Sequence, residues 1–225
     1  MTPAAKRVWS GLIRFGFRLL YNEFAFTYDL VSQIVSLGQW GCWGRTALRH
    51  LKASAGDPVL ELAYGTGNLH LELNRRGYKA FGHDLSPYMA AITRRKLASQ
   101  NMPVRLSRGM AQALPYRSGV FAAVISTFPA EFIIAPETLR EVNRVLQPAG
   151  QFIIVPNAVL TGKGAVEAGI EALYRITGQR GSSAQPGDIA SMFAPYGFDV
   201  VVHHEQCKNS VATVIVATRT RNAGD

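Results

Sequence analysis

The stretch VLELAYGTGNLHLEL at residues 59–73 constrains the fold more than any other part of the chain. Its apolar run breaks into a glycine-bearing turn and resumes with leucines at helical spacing, which is the outline of strand, turn and helix. Two common phosphate-binding loops share that outline, and neither fits. A dinucleotide loop needs a third glycine so that the helix can approach the strand closely. His70 holds that position, and an imidazole is too bulky for such packing. A P-loop needs Gly-Lys-Ser/Thr, which is absent here. What remains is Glu61-x-Ala63-x-Gly65-x-Gly67, an acid near the strand end followed by small residues at alternate positions. That pattern lets a backbone pass close to a ligand without holding a pyrophosphate. Alanine at position 63 fits only if the backbone there keeps φ negative.

From Pro58 onward, apolar runs alternate with amphipathic ones. Strands are predicted at 58–62, 79–83, 103–107, 121–126, 151–155, 198–203 and 211–217, and helices at 67–75, 87–98, 136–146 and 187–195. Short apolar strands separated by helices imply an α/β fold with a doubly wound, Rossmann-like, mainly parallel sheet. The last two strands share a short polar loop with no helix, so one edge of the sheet is an antiparallel hairpin. Residues 1–52 read as a helical cap, helical over 4–52, on a domain spanning 53–225. Segment 156–186, rich in glycine, reads as an insertion forming a lid or substrate wall.

Asp84 closes the second strand, nineteen residues after Gly65. A carboxylate there can accept two ribose hydroxyls. The adjacent Ser86 and Pro87 have a local explanation as N-cap and first helical residue.

A net charge of +9 admits an anionic substrate, an anionic membrane surface or nucleic acid. Arg7, Arg14 and Arg18 share a stripe of a strongly apolar N-terminal segment. Such a stripe suits peripheral membrane contact through residues 1–20. It also suits a helix docked on the body with its arginines reaching solvent. No window reaches the ~18 uninterrupted apolar residues of a membrane span. Arg14 and Arg18 interrupt what would be the apolar core of a signal peptide. Cys42 and Cys207 are too few for a disulfide framework and lack metal-ligand spacing, so they read as structural thiols of a reducing, cytoplasmic protein.

The series VLELAYGTG, GHDLSPYM, GMAQALPYRSGVFAAVIST and TLREVNRVLQPAGQFIIV resembles class I S-adenosylmethionine-dependent methyltransferases over residues 58–155. Its small-molecule branch of ubiquinone and menaquinone methyltransferases is the nearest in style. The resemblance implies a seven-stranded sheet and S-adenosyl-L-methionine as cofactor. The turn Glu61–Gly67, including Ala63, Tyr64 and Gly65, is then expected around the methionine part. Asp84 is expected on the ribose, Leu85 against the adenine, Met110 and Ala111 at the adenine edge, and Ser126 beside the reactive methyl. Met110 stands where an acid often accepts from the adenine amino group, which exchanges a hydrogen bond for apolar contact. Nucleic acid is not an expected substrate, because STFPAEF follows the fourth strand in place of an Asn/Asp-Pro-Pro-Tyr-type motif.

Methyl transfer from a sulfonium is chiefly a matter of alignment. A base is needed only where the acceptor must lose a proton. Glu131 in STFPAEFI follows the fourth strand and is one candidate; a solvated glutamate at a helix start is the plain alternative. Tyr28 is the other, from the aromatic group Tyr21, Phe24, Phe26 and Tyr28, which is similar to the Tyr-Asp segment closing over the cofactor in that family. His50, His70, His83, His203 and His204 are not expected as bases; His83 is expected to point into packing. The function expected is transfer to a small, apolar or membrane-derived acceptor. A non-catalytic binding protein on the same scaffold is the alternative.

Overall fold

The computed structural model describes residues 27–161 and 186–220. The segment 1–20, Tyr21, Phe24, Phe26 and most of the expected lid lie outside the described residues. Helix α1 (Tyr28–Val35) and helix α2 (Trp40–Thr46) open the described chain, and a 3-10 turn at Ala47–Arg49 extends α2. Strand β1 (Pro58–Leu62), helix α3 (Asn68–Arg75), strand β2 (Lys79–Asp84) and helix α4 (Pro87–Ala98) follow. Strand β3 (Leu106–Arg108) and strand β4 (Phe121–Thr127) precede helix α5 (Pro136–Val145) and strand β5 (Leu146–Leu160). Helix α6 (Pro186–Phe193) leads into strands β6 (Phe198–Cys207) and β7 (Ser210–Arg219).

The strands form one sheet in the order β3-β2-β1-β4-β5-β7-β6. Only β7 runs against the others, paired antiparallel to both β5 and β6. The mainly parallel sheet and its antiparallel hairpin therefore stand as the alternating pattern implied. Several boundaries differ, β5 beginning at Leu146 rather than 151 and β6 running to Cys207 rather than 203. β3 begins at Leu106 rather than 103, because Pro103 cannot donate to a ladder. β5 does not stop at 155 but bulges past Pro156 and pairs again with β7 through Leu160. Residues 156–160 thus belong to the sheet rather than to the insertion.

Apolar side chains fill both faces. Leu60, Leu62, Val124, Phe152 and Ile154 face one side and pack with Leu139, Val142 and Phe193 of α5 and α6. Val59, Ile125, Ile153, Val155 and Val214 face the other and pack with Leu69 and Leu73 of α3 and Trp43 of α2. Alternate residues of β1, β4 and β5 serve opposite faces, as the pleat requires.

The cap is fastened to the hairpin end of the sheet. Trp43 is buried and donates its indole N–H to Ser210 Oγ at 2.7 Å, and Ser210 donates in turn to Gln39 Oε1 at 2.6 Å. Cys42 and Cys207 are joined in a disulfide, which corrects the reading of both as free thiols. Their sequence separation of 165 concealed the pairing; the hairpin return of β6 brings Cys207 beneath α2.

Candidate functional site

The strand order reverses between β1 and β4, and ligands of open α/β sheets bind outside the carboxyl ends of strands at such a point. A cleft of about 440 Å³ lies there. It is lined by Glu61 and by Ala63 to Thr66 at the end of β1, by Thr127 and Phe128 at the end of β4, and by the cap residues Tyr28, Asp29, Trp40 and Arg45. That volume falls in the range of small-molecule sites, roughly 300–1,000 Å³.

The turn after β1 is held in a conformation favouring glycine. Gly65 has φ +53° with open space where a Cβ would stand. Gly67 has φ +77°, and a Cβ there would meet Thr93 Oγ1 at 2.7 Å. Thr93, buried on α4, also donates to the Gly65 carbonyl at 2.9 Å. Ala63 has φ +55°, which corrects the expectation of a negative φ. Its N–H donates to the His83 carbonyl at 2.8 Å, a tie from β1 to β2 that fixes the backbone before the turn begins.

Asp84 stands at the end of β2 beside this turn. Its Oδ2 accepts from the Gly65 N–H at 3.0 Å and its Oδ1 from the Ser86 N–H at 2.8 Å. Burial pushes its carboxyl above the ordinary range despite both bonds. Leu85 and Met110 expose 61 % and 58 % of their surfaces, and Ala111 is buried behind them. His83 points into packing: its Nε2 faces the Met110 carbonyl at 3.3 Å and its Nδ1 the Ser107 hydroxyl at 2.8 Å. Burial holds this imidazole below its usual pKa, so the neutral ring donates to Met110 and accepts from Ser107.

Ser126 is fully buried and donates to the Leu62 carbonyl at 2.9 Å, joining β4 to β1. Thr127 and Phe128, the next two residues, are those that line the cleft. Phe128 has φ +51° and stacks on Trp40, with ring centroids 4.2 Å apart. Tyr28 meets Trp40 edge-on at 6.1 Å. Glu131 is exposed at the start of a 3-10 turn (Glu131–Ile134) and does not line the cleft. The structure thus brings Tyr28, Glu61, Ala63, Tyr64 and Gly65 into one cleft, with Gly67 in the same turn and Asp84 bonded to it through the Gly65 N–H.

Asp29 is a site residue that sequence reasoning passed over. Its Oδ1 accepts from the Thr66 hydroxyl at 2.5 Å and from Asn68 Nδ2 at 2.9 Å, and its Oδ2 from Lys96 Nζ at 2.7 Å. Partial burial raises its carboxyl, but the bonds from Lys96, Thr66 and Asn68 outweigh this and hold it below the ordinary value. Asp29 therefore ties the cap to the turn and to α4. The Tyr-Asp pairing in sequence was the signal that could have found it.

Glu61 and His70 form a second overlooked pair. Glu61 is 2 % exposed, and its Oε2 lies 3.2 Å from His70 Nδ1. Desolvation pushes the Glu61 carboxyl up; the His70 bond opposes this only in part. Among the described residues, neither His70 Nε2 nor the buried Tyr64 hydroxyl has a hydrogen-bond partner, and no cluster of His, Cys, Asp and Glu is arranged to hold a metal ion.

Comparison with known proteins gives this geometry its context. Residues 59–150 match a family described as a methyltransferase domain. The demethylmenaquinone methyltransferase of Thermus thermophilus is 34 % identical over 182 residues, covering 80 % of each chain. That of Symbiobacterium thermophilum is 34 % identical over 143 residues, which span 60 % of this chain and 57 % of that protein. The geranyl diphosphate C-methyltransferase of Streptomyces coelicolor, solved with geranyl diphosphate and S-adenosyl-L-homocysteine, shares the fold at a TM-score of 0.60 and 12 % identity, covering 80 % of this chain and 79 % of that one. The open glycine turn beside a carboxylate and two exposed apolar side chains fits S-adenosylmethionine, whose charged, ribose and adenine parts need those three surfaces in turn. The chain belongs to the class I S-adenosylmethionine-dependent methyltransferases of the quinone-methyltransferase type, and S-adenosyl-L-methionine is its cofactor.

Proposed function

We propose that this methyltransferase acts on a small acceptor carrying a flat, apolar ring of the quinol class. The observation that carries the reading is the aromatic wall of the cleft, in which Phe128 stacks on Trp40 at 4.2 Å and Tyr28 closes the edge. Stacked and edge-on aromatic groups favour a further ring over an aliphatic or highly polar guest. The names of the demethylmenaquinone methyltransferase relatives agree with it.

In this reading the turn Ala63–Gly67, with Tyr64 and Gly65, holds the methionine part of the cofactor, and Asp84 receives the ribose hydroxyls. Leu85 and Met110 enclose the adenine with Ala111 beneath. Ser126 positions the end of β1 through Leu62 rather than touching the ligand. When bound, S-adenosylmethionine supplies an electrophilic methyl on a sulfonium. The protein's contribution is alignment: the β1 turn fixes one partner and the Trp40–Phe128 wall the other. We assign the acceptor side to Tyr28 rather than Glu131, because Tyr28 lines the cleft and the Glu131 carboxylate stands exposed outside it.

The test is single-turnover methyl transfer to a short-chain demethylmenaquinol, read by mass spectrometry. One added methyl on the ring is expected, and Trp40→Ala should raise the acceptor KM while leaving cofactor affinity intact. Turnover of a catechol or a phosphobase amine in preference to the quinol overturns the acceptor class.

A further inference from the structure

Glu61 lines the cleft, yet its carboxyl is withdrawn from solvent and touches one polar group, His70 Nδ1. His70 is 0 % exposed on α3, and its Nε2 has no partner among the described residues. These facts select a protonation state. An imidazolium would bury an N–H donor with nothing to accept from it, which costs more than leaving one lone pair of a neutral ring unmatched. His70 is therefore neutral, with its proton on Nδ1 and donated to Glu61.

Burial raises the Glu61 carboxyl and Asp84 raises it further, whereas the His70 ring and the cations of the cleft wall act against this without outweighing burial. Asp84 approaches from the end of β2 and disfavours a second buried anion. Tyr64, from the turn itself, has its phenol raised by burial and then by Asp84, with Glu61 adding to this and Arg94 of α4 opposing it, so it remains neutral. Across the cleft, the Asp29 carboxylate of α1 is already bonded to Lys96. Arg45 of α2 and Glu72 and Arg75 of α3 also line the cleft, and neither arginine forms an ion pair with Glu61. A buried carboxyl without a compensating cation keeps its proton.

We propose that the Glu61–His70 pair holds one proton on Glu61 in the free protein and releases it to solvent when the ammonium end of the cofactor arrives, so that cofactor binding is coupled to proton release. The proposal rests on the reading that the β1 turn receives the methionine part. Glu61 is then the counter-ion of the ammonium, and His70 is a positioning residue. Its Nδ1–H orients the carboxylate and its neutrality withholds a competing positive charge.

The test is titration calorimetry of S-adenosylhomocysteine into the intact protein in buffers of different ionisation enthalpy, repeated across the neutral pH range. The slope of observed heat against buffer ionisation enthalpy counts protons. About one proton released per ligand is expected below the Glu61 titration, falling to none above it. 5′-Methylthioadenosine lacks the amino-acid end and should bind with no such release. Glu61→Gln should abolish the release. His70→Leu, which removes the one hydrogen bond to the carboxylate, should move the midpoint of release to higher pH. His70→Asn, which restores a donor, should bring it back. Tight S-adenosylhomocysteine binding with no release at any pH, or equal release with methylthioadenosine, overturns the proposal while the cofactor assignment stands. Failure of both ligands to bind would instead remove the assignment on which it rests.

Discussion

Ala63 offers a measurement in which structure and residue preference pull in opposite directions. Its φ of +55° is set by the bond from its N–H to the His83 carbonyl and by the turn that follows. Holding an L-residue in the left-handed region costs about 1–2 kcal/mol, because Cβ crowds the neighbouring carbonyl oxygen. Ala63→Gly removes that cost. Against it stand the extra unfolded-state entropy of glycine, about 0.5–1 kcal/mol, and the loss of one partly buried methyl, a few tenths at about 0.8 kcal/mol per buried CH₂. The balance is a stabilisation of about 0.5 kcal/mol. For a chain of this size that raises Tm by about 1–2 °C. The same exchange at Ala122, on β4 and not among the residues of positive φ, should instead destabilise by about 0.5–1 kcal/mol, since no left-handed strain is relieved there. Urea unfolding of both variants and the wild type reads the two signs directly. If A63G is destabilised by as much as A122G, position 63 carries no left-handed strain, and the argument from its φ fails.

Three further outcomes follow from the cap and from α5. Asp29→Asn removes the charge that receives Lys96 while keeping the shape; because the pair is partly exposed the loss should be about 1 kcal/mol, and hydrogen exchange should quicken in α1 and the Thr66 turn but not in β4. Reducing the Cys42–Cys207 disulfide, which closes a loop of 165 residues, should lower urea stability by up to about 5 kcal/mol on the chain-entropy model; an unchanged midpoint with full thiol titration would show that the bond does not restrain the unfolded chain. Glu141 bonds Arg144 at 2.6 and 2.7 Å and the Leu114 N–H at 2.8 Å, and the Arg144 bond foremost holds its carboxyl below the ordinary 4.5. A depressed carboxyl gives stability that is present above 4.5 and lost as pH falls through the lower folded value, so Glu141→Gln should lower stability at neutral pH and flatten the acid limb, the two proteins converging at low pH.

The parts of this molecule that were legible in the sequence are those encoded by near neighbours. Ser86 and Pro87 announced the start of α4, and the Ser86 hydroxyl does accept from the Met89 N–H. Alternating apolar runs gave β1, β2 and β4 because each strand shows one face to each core. The short link between β6 and β7 required the antiparallel hairpin. Asp84 could be placed beside the β1 turn because the strand–helix–strand distance is nearly fixed in such units. What escaped depends on elements meeting across the sheet. Asp29 gains its importance from Thr66, Asn68 and Lys96, which lie on the β1 turn, α3 and α4. His70 served in the sequence only to exclude a dinucleotide loop. That it fills the space a third glycine would leave, and turns Nδ1 toward Glu61, requires the helix to be seated. The φ of Ala63 is imposed from β2, which no local propensity records.

These escapes share a location. Ala63, Gly65, Gly67 and Phe128 all take positive φ at the carboxyl ends of β1 and β4. Glu61 and Asp84, both with raised carboxyls, stand among them, as do the His70 Nε2 and Tyr64 hydroxyl that have no partner among the described residues. The two glycines apart, each feature costs free energy in the folded state, of order 1–3 kcal/mol where it is fully expressed. A chain retains several such costs at one point only if the surrounding structure over-determines them. Here two apolar cores clamp the strands that carry them, and Thr93 and Ser126 hold the turns by hydrogen bonds to main-chain carbonyls. The strain is therefore offset by the sheet, and its relief is available to a ligand. On the proposed reading, a cationic group beside Glu61 and hydroxyls beside Asp84 would satisfy buried carboxyls that the protein alone leaves poorly matched. On that reading, specific binding arises because the free cleft is left with buried polar groups that a molecule of matching shape and charge completes.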